Sequence, residues 1–289
     1  MRGQDNSMEF MRKKQNTALL EQEKNGVRYL QFPSLLETGA CRHLLSTRIG
    51  GISKGDLGTM NLSYSRGDKK ENVDENFRRI AEVLDCSVGD FVLSQQTHTT
   101  NVKTVTAEDK GKGIVKELGY TDIDGLITNV PGVVLSTFYA DCVPLFFLDP
   151  VKKAIGLSHS GWRGTVGKMG KVTVERMTKE YGSNPKDIIA AVGPSICVDC
   201  YEVSSDVADA FTEAFADAEN LDKIVIPKSK EKAMLDLWQA NYAVFLEAGI
   251  MKEHITLPDI CTSCNKELLF SHRASNGKRG NLGAFLMLN

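Results

Sequence analysis

Nowhere does the chain hold a run of about 18 apolar residues, so the sequence offers no membrane-spanning helix. From Met1 to Glu23 it is polar and of mixed charge, without the apolar core of a secretory signal. Charge of one sign is lacking too: a formal net charge of -2 gives little electrostatic grip on nucleic acid or an anionic membrane. There is no Walker phosphate loop and no Gly-x-Ser-x-Gly elbow. The His-x-Glu of the common zinc nucleobase deaminases is missing, although Pro194 and Cys197-x-x-Cys200 loosely match the second half of that signature. Internal repeats, linker-like segments and low-complexity blocks are also missing beyond the N-terminal stretch.

What is present is an ordinary globular composition, 42% hydrophobic and 25% charged over 289 residues. A chain of that length buries a sizeable core and needs no disulfide staples. Its cysteine count, seven, is odd, and one of them sits in an active-looking motif, which favours a reduced, cytoplasmic setting. Residues 1–25 read as a flexible polar tail, with order beginning near Val27-Arg28-Tyr29-Leu30, and 26–289 as one catalytic domain.

Periodicity predicts a helix from Asn72 to Leu84, with Val73, Phe77, Ile80, Ala81 and Leu84 on one face and Asn72 as its cap. Short β-branched runs predict strands at 91–93, 102–105, 126–128, 133–139, 144–148, 154–157, 188–192, 268–270 and 284–286. Helices are expected over 165–181, 203–215 and 234–248. Strands and helices mix without strict alternation, so the fold class is α/β of the mixed α+β kind, in a single domain.

Three turns carry soft or borderline metal ligands: Gln96-Thr97-His98, Ala140-Asp141-Cys142 and His159-Ser160-Gly161-Trp162-Arg163-Gly164. His98, Cys142 and His159 together would form a two-histidine, one-thiolate set, which suits zinc and leaves a fourth tetrahedral position open. Each has a plainer reading. His98 lies among polar turn residues as a surface histidine would. Cys142 fits a core cysteine beside a turn aspartate. His159 ends a strand before a glycine turn and a helix start, where sheet enzymes bind ligands. Arg163 and the helix start at Gly164 offer an anion site there. Cys197-x-x-Cys200 and Cys261-x-x-Cys264 stand much further apart than the roughly 15–20 residues of a zinc ribbon. Together they could form a four-cysteine structural zinc site, but that gap makes pairs of free, partly buried thiols the expectation.

With Asp124-Gly125-Leu126, Gly193-Pro194-Ser195-Ile196, Tyr201-Glu202-Val203, Asp236-Leu237, Cys261-Thr262 and Phe270-Ser271-His272-Arg273 following in order, the motifs resemble the YfiH/laccase-domain family. Thr47-Arg48-Ile49-Gly50-Gly51-Ile52-Ser53 and Asn61-Leu62 match its amino-terminal signature, and the likeness runs from about residue 26 to the end. The resemblance implies a sandwich of mixed sheets and helices related to toxin deamidases that use a Cys-His pair. It implies a metal, zinc or copper, on His98, Cys142 and His159. It also implies purine nucleoside phosphorolysis (adenosine, inosine, methylthioadenosine) and adenosine deamination; an older family reading is a copper-dependent phenol oxidase. Ser160 stands where alanine is commoner. Arg279-Gly280-Asn281 stands where Thr-Gly-Arg is usual, which weakens any role for Arg279.

The physical ranking disfavours the oxidase, since several coppers need many histidines and the chain has five, of which His43, His254 and His272 lie outside the proposed set. In the favoured reading Asp141 carries the proton for deamination, with Cys142 and His159 at the reacting centre. Arg48, Arg163 and Gly164 hold phosphate. The partners are purine nucleosides and phosphate, not nucleic acid or membrane. The competing readings are a metal-independent cysteine hydrolase using Cys142 with His159 or His98, and a non-enzymatic zinc-binding protein.

Overall fold

Two strands, Leu282–Leu288 and Val143–Asp149, are buried at every position. A strand apolar on both faces needs a layer on each side of its sheet, and these two define the middle of a sandwich. The computed structural model describes residues 8–13 and 17–289. One six-stranded sheet runs in the order Leu20–Lys24, Val27–Gln31, Cys41–Ser46, Leu282–Leu288, Val134–Tyr139, Phe91–Leu93. The other runs Ile255–Thr256, Ile189–Val192, Val143–Asp149, Ala154–Ser160, Gly125–Thr128, Val102–Thr104. Both sheets mix parallel and antiparallel pairs. A small third sheet joins Glu202–Ser204, Lys232–Leu235 and Val225–Pro227.

The period of two assigns the layers. Ala284 and Leu286 meet Phe146 and Leu148 in the core between the large sheets. Phe285 and Met287 turn the other way, onto helix Lys70–Leu84 through Val73, Phe77 and Ile80. Val143, Leu145 and Phe147 face the opposite outer layer, where Met169, Val174, Phe211, Val244 and Phe245 come from three helices. Helix, sheet, sheet and helices therefore stack in that order, the mixed α/β class expected from the pattern.

Several boundaries differ from expectation, each for a local reason. Helix Lys70–Leu84 begins two residues early; Asn72 does not cap it but donates to Asp68, whose carboxylate also accepts from Lys69 N. The long helix expected from Thr165 breaks into Trp162–Val166 and Met169–Tyr181, because Lys168 adopts a left-handed conformation at φ 59°. The run at 234–248 is a strand end followed by helix Leu237–Glu247, which starts where Asp236 accepts from Trp238 N and Gln239 N. The helix expected over 203–215 is likewise strand Glu202–Ser204 followed by helix Ser205–Ala214. Residues 268–270 are buried turn, not strand.

Part of the expected tail is sheet. Leu20–Lys24 and Val27–Gln31 form a hairpin closed by Asn25-Gly26, both at positive φ. An Asn-Gly pair between alternating strands is a strong local hairpin signal. Arg12 pairs with Asp259 at 2.5 Å, and Met11 N donates to Asn265 Oδ1 at 2.7 Å. The tail expectation for residues 1–7 and 14–16 falls outside the described residues. None of the described helices is long and apolar enough to cross a membrane.

One buried histidine is built into this frame as a neutral group. His43 Nε2 accepts from Phe32 N at 2.8 Å, and the ring packs on Phe32 and Phe146. Burial pushes its pKa down to about 3. The unfolded chain takes up this proton near pH 6.5 and the folded chain does not, so stability is held above that pH and lost below it. The expected slope is about 1.4 kcal/mol per pH unit below pH ~6. Urea midpoints measured between pH 7 and 5 should show a shallower slope in His43→Gln, which keeps an acceptor for Phe32 N but cannot titrate.

Candidate metal centre and active-site cleft

The chain crosses between the two large sheets at one edge, and it does so twice. Phe91–Leu93 and Val134–Tyr139 lie parallel in the first sheet, so both end at the same edge. After Phe91–Leu93 the chain passes through His98 to reach Val102–Thr104; after Val134–Tyr139 it passes through Ala140-Asp141-Cys142 to reach Val143–Asp149. Val143 pairs with Ser160 and Pro144 with His159, which brings the end of the His159 strand to the Cys142 corner. Parallel pairing of two strands thus superimposes two corners that are distant in sequence.

The ligand atoms of His98, Cys142 and His159 all lie within 4.8 Å of one another. His98 Nε2 stands 3.8 Å from Cys142 Sγ, near the ~3.5 Å edge of a tetrahedron with zinc-length bonds. Burial grades across the group: His159 is buried, Cys142 half-buried and His98 exposed. His159 and Ser160 belong to strand Ala154–Ser160 and not to a turn. Gly161 is needed for space. A Cβ there would stand 2.8 Å from His98 Cδ2 and 3.1 Å from Cys142 Sγ, inside the cradle between the ligands.

The group that sets these positions is Asp124, to which the sequence reading gave no role. Its carboxylate is fully buried. Oδ1 accepts from His98 N at 3.0 Å and faces His159 Nδ1 at 2.8 Å. Oδ2 accepts from Thr97 N, Thr99 N and Thr99 Oγ1 at 2.9–3.0 Å. With Nδ1 engaged, Nε2 is the nitrogen His159 has left for a metal, an outer-shell arrangement common to metal histidines. The same carboxylate holds His98 in its left-handed conformation, φ 68°. Gln96 fixes the loop from the other side by exchanging hydrogen bonds with Phe138 N and O.

Burial alone would raise Asp124; hydrogen bonds from His159 and from the Thr97 and Thr99 amides, with the charge of His159, hold it below the usual carboxylate range. Burial would also raise the Cys142 thiol, but His159 and His98 outweigh it and bring it down to about 6. Burial lowers His159; the Cys142 thiolate and Asp124 carry it up to about 9. The two shifts run in opposite directions and share one cause, the close approach of the Cys142 sulfur and the His159 ring.

These ligands open into a cleft of about 540 Å³, within the ordinary range for small-molecule sites. Leu62, Leu93, Leu118 and Phe138 give it apolar walls, and Arg66, Lys116 and Arg279 give it positive charge against one carboxylate, Glu117. Arg66 has no hydrogen-bond or ion-pair partner among the described residues, and Arg279 leaves its buried Nε unpaired. Burial, then repulsion from Arg66, brings the Arg279 guanidinium down to about 10. Asn61 ties the two arginine loops together: Oδ1 accepts from Ser63 N and Asn281 N, and Nδ2 donates to Asp68.

The residues expected to hold phosphate are elsewhere. Arg48 stacks on Phe270 at 4.8 Å and donates to the Gly58 and Lys266 carbonyls. Arg163 lies exposed over the Trp162 ring at 4.2 Å, and Gly164 is buried against Ser160 and Met169. None of the three lines the cleft. Asp141, expected as the proton carrier, does not line it either. Its Oδ1 accepts from Thr262 Oγ1 at 2.6 Å and its Oδ2 from Arg273 N at 2.7 Å, so it braces the corner beside Cys142.

Residues 42–289 match the family model for multi-copper polyphenol oxidoreductase laccase. The chain belongs to this family. It is 36% identical over 242 residues to the purine nucleoside phosphorylase YlmD of Bacillus subtilis, covering 83% of this chain and 86% of the relative. It is 35% identical over 216 residues to adenosine deaminase RL5 from an unknown prokaryotic organism, covering 74% and 81%. Its fold superposes on the crystal structure of YlmD from Geobacillus stearothermophilus with a TM-score of 0.87 at 33% identity, over 95% of this chain and all of that one.

The motif Asp124-Gly125-Leu126 was legible as a family mark, and an acidic residue preceding a buried strand beside a histidine strand was a usable signal. Arg66 carried none, since an arginine in a polar loop is unremarkable. Asp124→Asn should weaken zinc binding by about 10–100-fold, measured by competition with a chromophoric chelator. Gly161→Ala should do the same through steric displacement of His98 while leaving the melting temperature nearly unchanged.

Proposed function

We propose that the chain is a purine nucleoside phosphorylase that also deaminates adenosine, with both reactions in the His98–Cys142–His159 cleft. The observation that carries this reading is one cleft holding both a metal-ligand cluster and two arginines, Arg66 and Arg279, that lack a carboxylate partner. Two arginines side by side, neither paired with a carboxylate and one with its Nε free, attract an anion. The apolar walls from Leu62, Leu93, Leu118 and Phe138 suit the faces of a purine and its ribose. The substrates of choice are adenosine, inosine and methylthioadenosine, with inorganic phosphate as the second substrate.

Two histidines and a thiolate suit zinc, whose Lewis acidity, when the ion is bound, lies open to the cleft at a fourth position. The chain's own residues do the rest. Asp124 fixes the His159 tautomer and the His98 backbone. Arg66 and Arg279 position phosphate so that its oxygen bonds to ribose C1′ as the bond from C1′ to the base nitrogen breaks and the base takes up a proton. Asp141 holds the Cys142 corner. A multi-copper oxidase is a poorer fit to the donors: among the described residues His43 and His254 belong to neither candidate metal group, and His43 is locked in the core by Phe32 N.

The two activities separate the residues. Removing a charged hydrogen-bond partner costs about 1.5–3 kcal/mol, so Arg279→Ala and Arg66→Ala should each raise the KM for phosphate by about 10–100-fold. Deamination of adenosine, which uses no phosphate, should stay within about threefold of the parent. Equal loss of both activities would overturn the phosphate assignment. Cys142→Ala should abolish both reactions and remove metal from this cluster. A second reading rests on the placement of Cys142 Sγ within 4.8 Å of one ring nitrogen each of His98 and His159, a thiol and a base able to act as nucleophile and general base without metal. Turnover that survives complete chelation would select it.

A further inference from the structure

Four further cysteines, which the sequence offers as two pairs of free thiols or, less readily, as one zinc site, come together. Cys197, Cys200, Cys261 and Cys264 have their sulfurs all within 4.8 Å of one another. The two Cys-x-x-Cys segments are far apart in sequence but lie side by side. Ser195 and Cys261 form a parallel bridge, Thr262 N donates to Ser195 O at 3.1 Å, and a short 3-10 turn, Val198–Cys200, curls Cys200 back toward Cys264. Zinc-ribbon spacing measures sequence distance within a single ribbon, whereas here two loops from different parts of the sandwich each supply a pair.

We propose that these four cysteines bind a second divalent metal ion, of the zinc type, in a structural all-thiolate site separate from the cleft. Cys197 Sγ lies 4.0 Å and Cys200 Sγ 3.6 Å from Cys264 Sγ. Four thiolates on a tetrahedral zinc with bonds of ~2.3 Å have edges of about 3.8 Å, so the observed separations bracket a filled site. All four cysteines are free, so no disulfide competes for the sulfurs. Cys261 Sγ already accepts from Cys197 N at 3.2 Å and Cys264 N at 3.5 Å. Such backbone N–H donors spread the charge of a metal-bound thiolate. Cys197 and Cys261 are buried and Cys200 and Cys264 half-buried, which closes the site to substrate. Four thiolates on a divalent ion leave two negative charges, and Lys13, paired with Asp199 at 3.0 Å, stands close enough to Cys197 and Cys264 to offset part of them. Binding replaces the thiol protons with the ion and releases them to solvent.

The position says what the ion would hold. Thr262 and Arg273 both donate to Asp141, and Ile196 N donates to the Asp141 carbonyl at 3.1 Å. Arg273 also donates to the Cys200 carbonyl at 3.2 Å. An ion joining the 197–200 and 261–264 loops would fix the residues that hold the corner from which Cys142 projects, while touching neither Cys142 nor the cleft.

The test uses the full chain with Cys142→Ala, which leaves no thiolate in the cleft. Loaded with Co²⁺, this variant should show thiolate-to-cobalt charge transfer and the visible bands of a tetrahedral all-sulfur site, and zinc should displace the colour one for one. The parent chain, purified under reductant, should carry two equivalents of zinc by elemental analysis; Cys197→Ser/Cys264→Ser should carry one and melt at lower temperature. Absence of a thiolate–cobalt band in the Cys142→Ala chain overturns the proposal. So does finding the four sulfurs as disulfides in the reductant-treated parent.

Discussion

A single buried carboxylate organises the candidate centre. Asp124 accepts from His98 N, Thr97 N, Thr99 N and Thr99 Oγ1 and faces His159 Nδ1. Leaving such a group unpaired inside a protein costs several kcal/mol, so the 97–99 loop closes onto it and the His159 ring turns toward it. What looks like the service of a metal site is first of all the satisfaction of a buried charge. His98 adopts its left-handed backbone for the same reason. Its side chain meets Cys142 because Asp124, at the start of strand Gly125–Thr128, already sits beside the end of strand Ala154–Ser160.

The sheets supply the other half of the geometry. Strand pairing sets which corner meets which, and the two crossings between sheets fall at one edge because Phe91–Leu93 and Val134–Tyr139 run parallel. The central strands and the helix Lys70–Leu84 were legible: burial on both faces writes apolar runs into Val143–Asp149 and Leu282–Leu288, and one apolar face marks the helix. The three ligands were legible as residue types in turns. Their meeting was not, since pairing between distant strands leaves no local trace, and family motifs had to stand in for it. Boundaries slipped where one side chain decided them, as at Asp236, or where one backbone conformation did, as at Lys168.

Anion binding shows the opposite failure. Arg163 beside a helix start and Arg48 in a glycine loop fit the usual sequence signs of a phosphate site. Yet both guanidiniums already have partners, Arg163 the Trp162 ring and Arg48 the Phe270 ring with two carbonyls. An arginine so occupied has little left to offer a ligand. Arg66 is the reverse case, with no hydrogen-bond or ion-pair partner among the described residues; Arg279 is intermediate, its Nη1 donating to Gly280 O and Asn281 Oδ1 while its buried Nε stays unpaired and burial and the charge of Arg66 lower it. What separates the arginines proposed for phosphate from the motif arginines is unsatisfied bonding capacity, and that is a property of three-dimensional proximity.

The cysteines divide along the same line. Cys142 lies between His98 and His159, with a face open to the cleft, where an ion would keep a free coordination position for chemistry. Cys197, Cys200, Cys261 and Cys264 surround their own centre, so an ion there would be saturated by sulfur and inert. The link between the two groups is Asp141, whose side chain is held by the loop that carries Cys261 and Cys264 and whose next residue is Cys142. Asp141 sits at φ 86°, a conformation that costs a non-glycine residue of order 1–3 kcal/mol unless its surroundings enforce it. The enforcement comes from Thr262, Arg273 and Ile196, all flanking the sulfur cluster. The side-chain hydrogen bonds of Asp141 make it a strut between the proposed sulfur-bound ion and the Cys142 corner, not a group facing the cleft.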